Sequence, residues 1–209
     1  EAGKAAGLAK RFAVVDWDVH HGNGTEAIYY DRDDVLTISL HQEYNYPLDT
    51  GDIADRGRGA GKGYNINVPL PSGVGHVGYL DAMERIGLPA LDAYRPDVII
   101  VACGFDAGIF DPIARQLCTA ETFRLMTRQV MTAAQQLCDG KLVMVHEGGY
   151  SEAYVPFCVL VVTAATGLLI KMAPDPMADT VKKRQPSARM NEIFGQLITE
   201  MAAQLGPMG

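Results

Sequence analysis

The sequence predicts an α/β fold: a parallel sheet flanked by helices. Three observations carry the α/β prediction. Short apolar runs alternate along the chain with stretches of helical period, the pattern of βαβ units. Two of those runs, at 35–40 and 97–102, are almost continuously apolar, as strands buried on both faces are. Several runs end in a polar or glycine-rich turn, and in a parallel sheet all such turns share one rim, where open α/β sheets bind ligands.

Taken in order, residues 1–10 read as the tail of a helix and 12–18 as a strand. Residues 25–30 form a short helix, with Thr25 or Asn23 as its cap. The 35–40 strand ends at His41. A long irregular stretch, 42–62, is rich in Gly, Asp and Tyr, and a loop of that length in a compact domain is usually functional or mobile. Residues 64–68 alternate as a strand closed by Pro69 and Pro71. Residues 78–94 read as a helix with Leu80, Met83, Ile86 and Leu91 on its apolar side, and with a kink or break at Pro89. After the 97–102 strand, residues 119–138 form an amphipathic helix capped by Thr119, with Glu121 suited to its first turn. Residues 141–146 are a strand and 154–170 a buried helix. The basic run Lys182-Lys183-Arg184 reads as a surface loop, and 191–205 as a last helix.

With 209 residues, 48% hydrophobic and 21% charged, the chain suits one globular domain. A net charge of -7 and the lack of a basic tract weigh against nucleic acid. No stretch is long and apolar enough for a membrane span. Cys103, Cys118, Cys138 and Cys158 lie far apart in apolar contexts, which predicts buried, reduced thiols and a cytoplasmic protein. The opening residues read as the middle of a helix, which predicts a chain lacking its amino-terminal part.

The chemistry concentrates at 12–24, where an apolar run enters two acids, two histidines and a Gly-x-Gly. Strand alternation puts Asp16, Asp18 and His20 on one face, with Trp17 and Val19 on the other. A carboxylate and an imidazole two residues apart can reach one zinc-type ion. Alone, an Asp-x-His is more often a turn acid beside a core histidine; the longer motif favours a ligand set. Asp106 and Tyr150 end two other strands. Asp106 alone fits a helix cap equally well, and Tyr150 alone fits a packing residue. Together, Asp18, His20 and Asp106 offer two carboxylates and one imidazole and leave a coordination position open. Tyr150, after two glycines, can donate to a developing oxyanion.

Five segments resemble the zinc-dependent histone deacetylase family: 16–25 (Asp-Trp-Asp-Val-His-His-Gly-Asn-Gly-Thr), 36–41, 64–69, 104–107 (Gly-Phe-Asp-Ala) and 147–150 (Glu-Gly-Gly-Tyr). The likeness is strongest to the class II branch and to bacterial histone deacetylase-like amidohydrolases and acetylpolyamine amidohydrolases. It implies the arginase-like fold and hydrolysis of an N-acetyl amide on lysine or a related amine. Carried over, it implies Zn2+ on Asp18, His20 and Asp106, with Tyr150 polarising the acetyl carbonyl. It also implies structural K+ at Asp16, Asp18, His20, Ser39 and Leu40. A second K+ site would use carbonyls of Tyr29, Arg32, Val35 and Tyr64. Tyr46, Gly148 and Gly149 would line the substrate channel.

One departure stands out. The family's proton-transfer His-His pair is missing, since the only tandem here is His20-His21. Residues 1–209 are therefore expected to be the C-terminal portion of a single catalytic domain, inactive or nearly so alone. A possible homo-oligomer is left open. Two alternatives stand beside this reading. One is a non-catalytic family member that binds acetylated ligands. The other is a binuclear manganese ureohydrolase, which would need more acids than Gly22, Asn23, Ala107 and Gly108 supply.

Overall fold

The computed structural model describes residues 1–167 and 175–206. Five strands form one parallel sheet in the order β3-β2-β1-β4-β5. They are β1 (Phe12–Asp16), β2 (Val35–Gln42), β3 (Asn65–Leu70), β4 (Val98–Cys103) and β5 (Leu142–His146). The helices are α1 (Ala2–Ala5), α2 (Asn23–Tyr29), α3 (His76–Ala82), α4 (Leu88–Tyr94), α5 (Ala120–Cys138), α6 (Val155–Ala165), α7 (Ala178–Lys183) and α8 (Ala188–Leu205).

The register assigns the two sheet faces. Ala13, Ile99 and Leu142 are aligned, as are Val15, Val101 and Met144. The first two members of each row are fully buried. This face packs with Trp17, Tyr79, Phe123 and Met126 in the core. On the opposite face Val14 aligns with Thr37, Ile100 and Val143, and Asp16 with Ser39, Ala102 and Val145. Over β2 and β3 this face is buried. Over β5 it is open: Val143 is 50% and Val145 44% exposed.

Several helix boundaries differ from the sequence reading. Only Ala2–Ala5 of the first ten residues is helical. Gly22 occupies the start of α2, and neither Asn23 nor Thr25 caps it through its side chain. The basic run is not a loop: Lys182 and Lys183 end α7, where cations suit the helix dipole. The last helix begins earlier, behind Ser187, whose side chain accepts from the Met190 N–H. The helix expected at 154–170 is seen as Val155–Ala165, and residues 168–170 lie outside the described residues. The Pro89 expectation resolves as a wide π-helical turn, Met83–Gly87, between α3 and α4. Proline lacks the N–H that an α-helical bond at that point would use, and the wider turn absorbs the loss.

Thr119 does cap α5, in a reciprocal pair with Thr122, a device worth about 1 kcal/mol. All four cysteines are free and buried. Among the described residues no helix is long and apolar enough to cross a membrane.

Candidate metal centre

Because every strand runs the same way, the turns after β1, β4 and β5 meet at one rim. β1 delivers Asp18 and His20, β4 delivers Asp106, and β5 delivers the Gly148–Tyr150 turn. The ligand atoms of Asp18, His20 and Asp106 lie within 4.8 Å of one another, and this is the one such group among the described residues. The three side chains predicted to converge therefore do so.

Backbone bonds fix the acids. Asp106 Oδ1 accepts the Val19 N–H at 2.8 Å. Asp18 Oδ1 accepts the His20 N–H at 2.9 Å, and Asp18 Oδ2 the Gly148 N–H at 2.8 Å. Gly148 must lack a side chain, because a Cβ there would come within 2.6 Å of Asp18 Oδ2 and overlap the Asp106 carboxylate. Gly149 has φ +136°, a conformation that strains other residues. Both glycines therefore have a steric reason to be at the centre.

The electrostatics ask for a cation. His20 Nδ1 lies 2.9 Å from Asp18 Oδ1 and 3.1 Å from Asp106 Oδ2. The second contact lacks hydrogen-bond direction, so the buried Asp106 Oδ2 has no hydrogen-bond partner. Asp106 and then Asp18 hold the imidazole up to about 10. Burial, the larger cause, and Asp18 push the Asp106 carboxyl up to about 6. Burial also pushes Asp16 up to about 8, with Asp18 adding to it. For Asp18 the burial effect is outweighed by bonds from His20 and Gly148, and its pKa is lowered. Such a cluster of partly neutralised buried acids is relieved by a bound cation, which would also displace the His20 proton. Two carboxylates and an imidazole suit a divalent ion of the zinc type.

Tyr150, 53% exposed, borders the same cavity of about 440 Å³ as Asp16, Asp18, His20, Gly148 and Gly149. Partial burial, then Asp106, Asp18 and Asp111, raise its pKa, so the phenol keeps its proton and can donate. Tyr46 stands beside His20, its ring edge-on to the imidazole with centroids 6.2 Å apart. Ser39 lies beside the centre, its Oγ accepting the Gly22 N–H at 3.2 Å, while Leu40 is buried in β2. Of the carbonyls expected to form a second ion site, Tyr29 O accepts from Arg32 N and Tyr64 O from Thr37 N; Val35 begins β2.

Sequence reasoning missed a polar network beneath this rim. Glu26 Oε2 accepts from His21 Nε2 at 3.2 Å, Asn65 Nδ2 at 2.6 Å and Asn67 Nδ2 at 2.8 Å. The two amides also donate to Asp55 O and Asp52 O, which fastens the 42–62 loop to β3. The available signal was the alternation of Asn65 and Asn67, which places both on one strand face. Asp111 was missed as well.

The histone deacetylase domain family matches residues 1–166. A histone deacetylase-like amidohydrolase of Pseudomonas aeruginosa is 50% identical over 206 residues, covering 99% of this chain and 54% of that protein. A probable deacetylase of Archaeoglobus fulgidus is 42% identical, covering 75% of this chain and 44% of that protein. Among solved structures, the histone deacetylase Clr3 superposes with a TM-score of 0.74 at 31% identity, covering 95% of this chain and 32% of that one. The HDA15 HD domain gives 0.71 at 33% identity, covering 97% and 55%. The chain thus spans about half the length of the curated relatives it matches. On the family match and the shared sheet, it belongs to the histone deacetylase family.

Proposed function

We propose that this chain carries the metal-binding half of a zinc-dependent deacetylase catalytic domain, acting on N-acetylated lysine or related amines. The observation that supports it most is the convergence of Asp18, His20 and Asp106 beside the Tyr150 turn. Asp18, His20 and Asp106 would hold the ion. Bound there, zinc supplies Lewis acidity toward the acetyl carbonyl and the attacking water. Tyr150 would donate a hydrogen bond from its hydroxyl to the carbonyl oxygen as negative charge develops on it. Tyr46, Gly148 and Gly149 shape the approach for an extended acyl-amine chain. Asp16, Ser39 and Leu40, with Asp18 and His20, would supply oxygens to a structural potassium ion, a hard cation that suits such ligands. The carbonyls of Tyr29, Arg32, Val35 and Tyr64 would serve a second.

Each histidine of the chain outside the ligand set already has a partner. His21 is engaged by Glu26 and Thr50, His41 by Ser39 and Gly51, and His76 by Thr122, while the His146 ring packs on Phe105. The open sheet face beside Ala102 and Val145 is where a further segment of a deacetylase-length protein would seat. An acetyl-lysine peptide assay with added zinc tests the proposal. The chain should take up about one zinc and turn over negligibly, whereas a deacetylase-length protein containing it should hydrolyse the peptide. Failure of the chain to retain zinc sinks the reading; zinc uptake with no hydrolysis by the longer protein leaves a non-catalytic binder.

A further inference from the structure

Asp111 lies in the loop after β4, five positions beyond Asp106, and is only 8% exposed. Among the described residues its carboxylate has no cationic partner. Its two oxygens serve two backbone donors instead. Asp111 Oδ2 accepts the Tyr150 N–H at 2.8 Å, and Oδ1 accepts the Ile113 N–H at 3.0 Å. Its own N–H donates to Gly108 O at 2.9 Å, which fixes the loop it sits in. One side chain therefore ties the β4 loop, which carries Asp106, to the β5 turn, which carries Tyr150.

The arrangement selects an aspartate. Two N–H donors need two acceptor oxygens, and asparagine would turn an NH2 toward one of them. Tyr150 also has little else to hold it. Its ring is half in solvent, and among the described residues the bond to Asp111 is the one hydrogen bond it makes. The preceding residue, Gly149, is a glycine at positive φ, whose backbone would otherwise turn freely. At the other end of the turn Asp18 holds Gly148 N at 2.8 Å. Two aspartates thus bracket the turn, one through the metal centre and one from behind it.

We propose that Asp111 is a positioning residue that sets where the Tyr150 phenol stands relative to the metal centre; this rests on the deacetylase reading. It touches neither substrate nor ion and acts through the Tyr150 backbone.

Two measurements on the zinc-loaded chain test this. The first is hydrogen exchange at individual amides. The wild-type Tyr150 amide should be protected, and in D111N it should exchange at least about tenfold faster while the Gly148 amide is little changed. The wild-type arm needs no variant, so a misfolded D111N does not spoil it: an unprotected Tyr150 amide in the wild type overturns the proposal. The second is affinity for a long-chain alkyl hydroxamate, whose carbonyl would accept from the Tyr150 hydroxyl. D111N and Y150F should each weaken capture by about tenfold, and the double variant should be no more than about twofold worse than Y150F alone. Losses that multiply, or a D111N affinity equal to wild type, overturn the assignment alone. A wild-type chain that retains zinc but captures no hydroxamate overturns the deacetylase reading and this assignment with it.

Discussion

Glu26 Oε2 on α2 accepts the Asn67 side-chain amide of β3 at 2.8 Å, across the intervening strand β2. The same oxygen serves Asn65 and His21, so one carboxylate is the hub of three donors. Glu26→Ala leaves those donors unpaired in a largely buried site. The expected cost is about 2–4 kcal/mol, read as a lower thermal midpoint, with faster proteolysis within residues 42–62. Wild-type stability in that variant would show that the network contributes nothing.

Asp18→Ala and Asp106→Ala each remove one of two carboxylates from the centre. Metal analysis after dialysis should find about one zinc per wild-type chain and almost none in either variant. Zinc at about one hundred times its dissociation constant should stabilise the wild type by about 2.7 kcal/mol, and chelation should remove that gain. Stoichiometric zinc in both variants would place the ligands elsewhere.

Tyr150→Phe deletes a donor without touching the ligand set. In a deacetylase-length protein, turnover should fall by about a hundredfold or more with zinc content unchanged. Equal turnover would remove the phenol from the chemistry.

His76 provides a pH dependence away from the centre. Its Nδ1 meets Thr122 Oγ1 at 3.0 Å, and burial lowers its pKa against a smaller opposing effect of Glu121. The folded chain therefore resists protonating this ring more than the unfolded chain does. Its contribution is complete above the ordinary imidazole value of about 6.5 and is lost as pH falls below it. His76→Gln should flatten that part of the stability profile, measured by denaturant unfolding between pH 7 and 5. An unchanged slope would assign the acid sensitivity to other groups.

Val143 and Val145 present apolar surface on an edge strand whose other side is packed. Exposed apolar strand surface promotes association. Replacing both with Thr should reduce self-association in sedimentation without abolishing folding. A monodisperse wild-type chain at high concentration would contradict this.

Strand positions were legible because most runs are largely apolar and the 64–68 run alternates with a period of two, whereas helix ends depend on a few capping atoms. Thr119 could be read as a cap because an amphipathic stripe comes directly after it. Asn23 and Thr25 looked equally suitable, yet the turn through Gly22 leaves neither in place to cap. Lys182 and Lys183 suggested solvent and hid a short helix, since a polar surface helix has no apolar period to show. Asp18 and His20 were legible as ligands because they sit side by side. Glu26 and Asp111 were not, because their partners lie about forty residues away and only the folded sheet brings them together. Asp106 was legible only in company, since a lone acid after a strand serves as readily to cap a helix.

The wide turn at Met83–Gly87 sets the azimuth of α4. Tyr79 and Met83 before the turn, and Leu91 and Tyr94 after it, all reach the same core. Pro89 therefore opens α4 at a place where the wider turn already spares the N–H that proline lacks, and the two halves share one core.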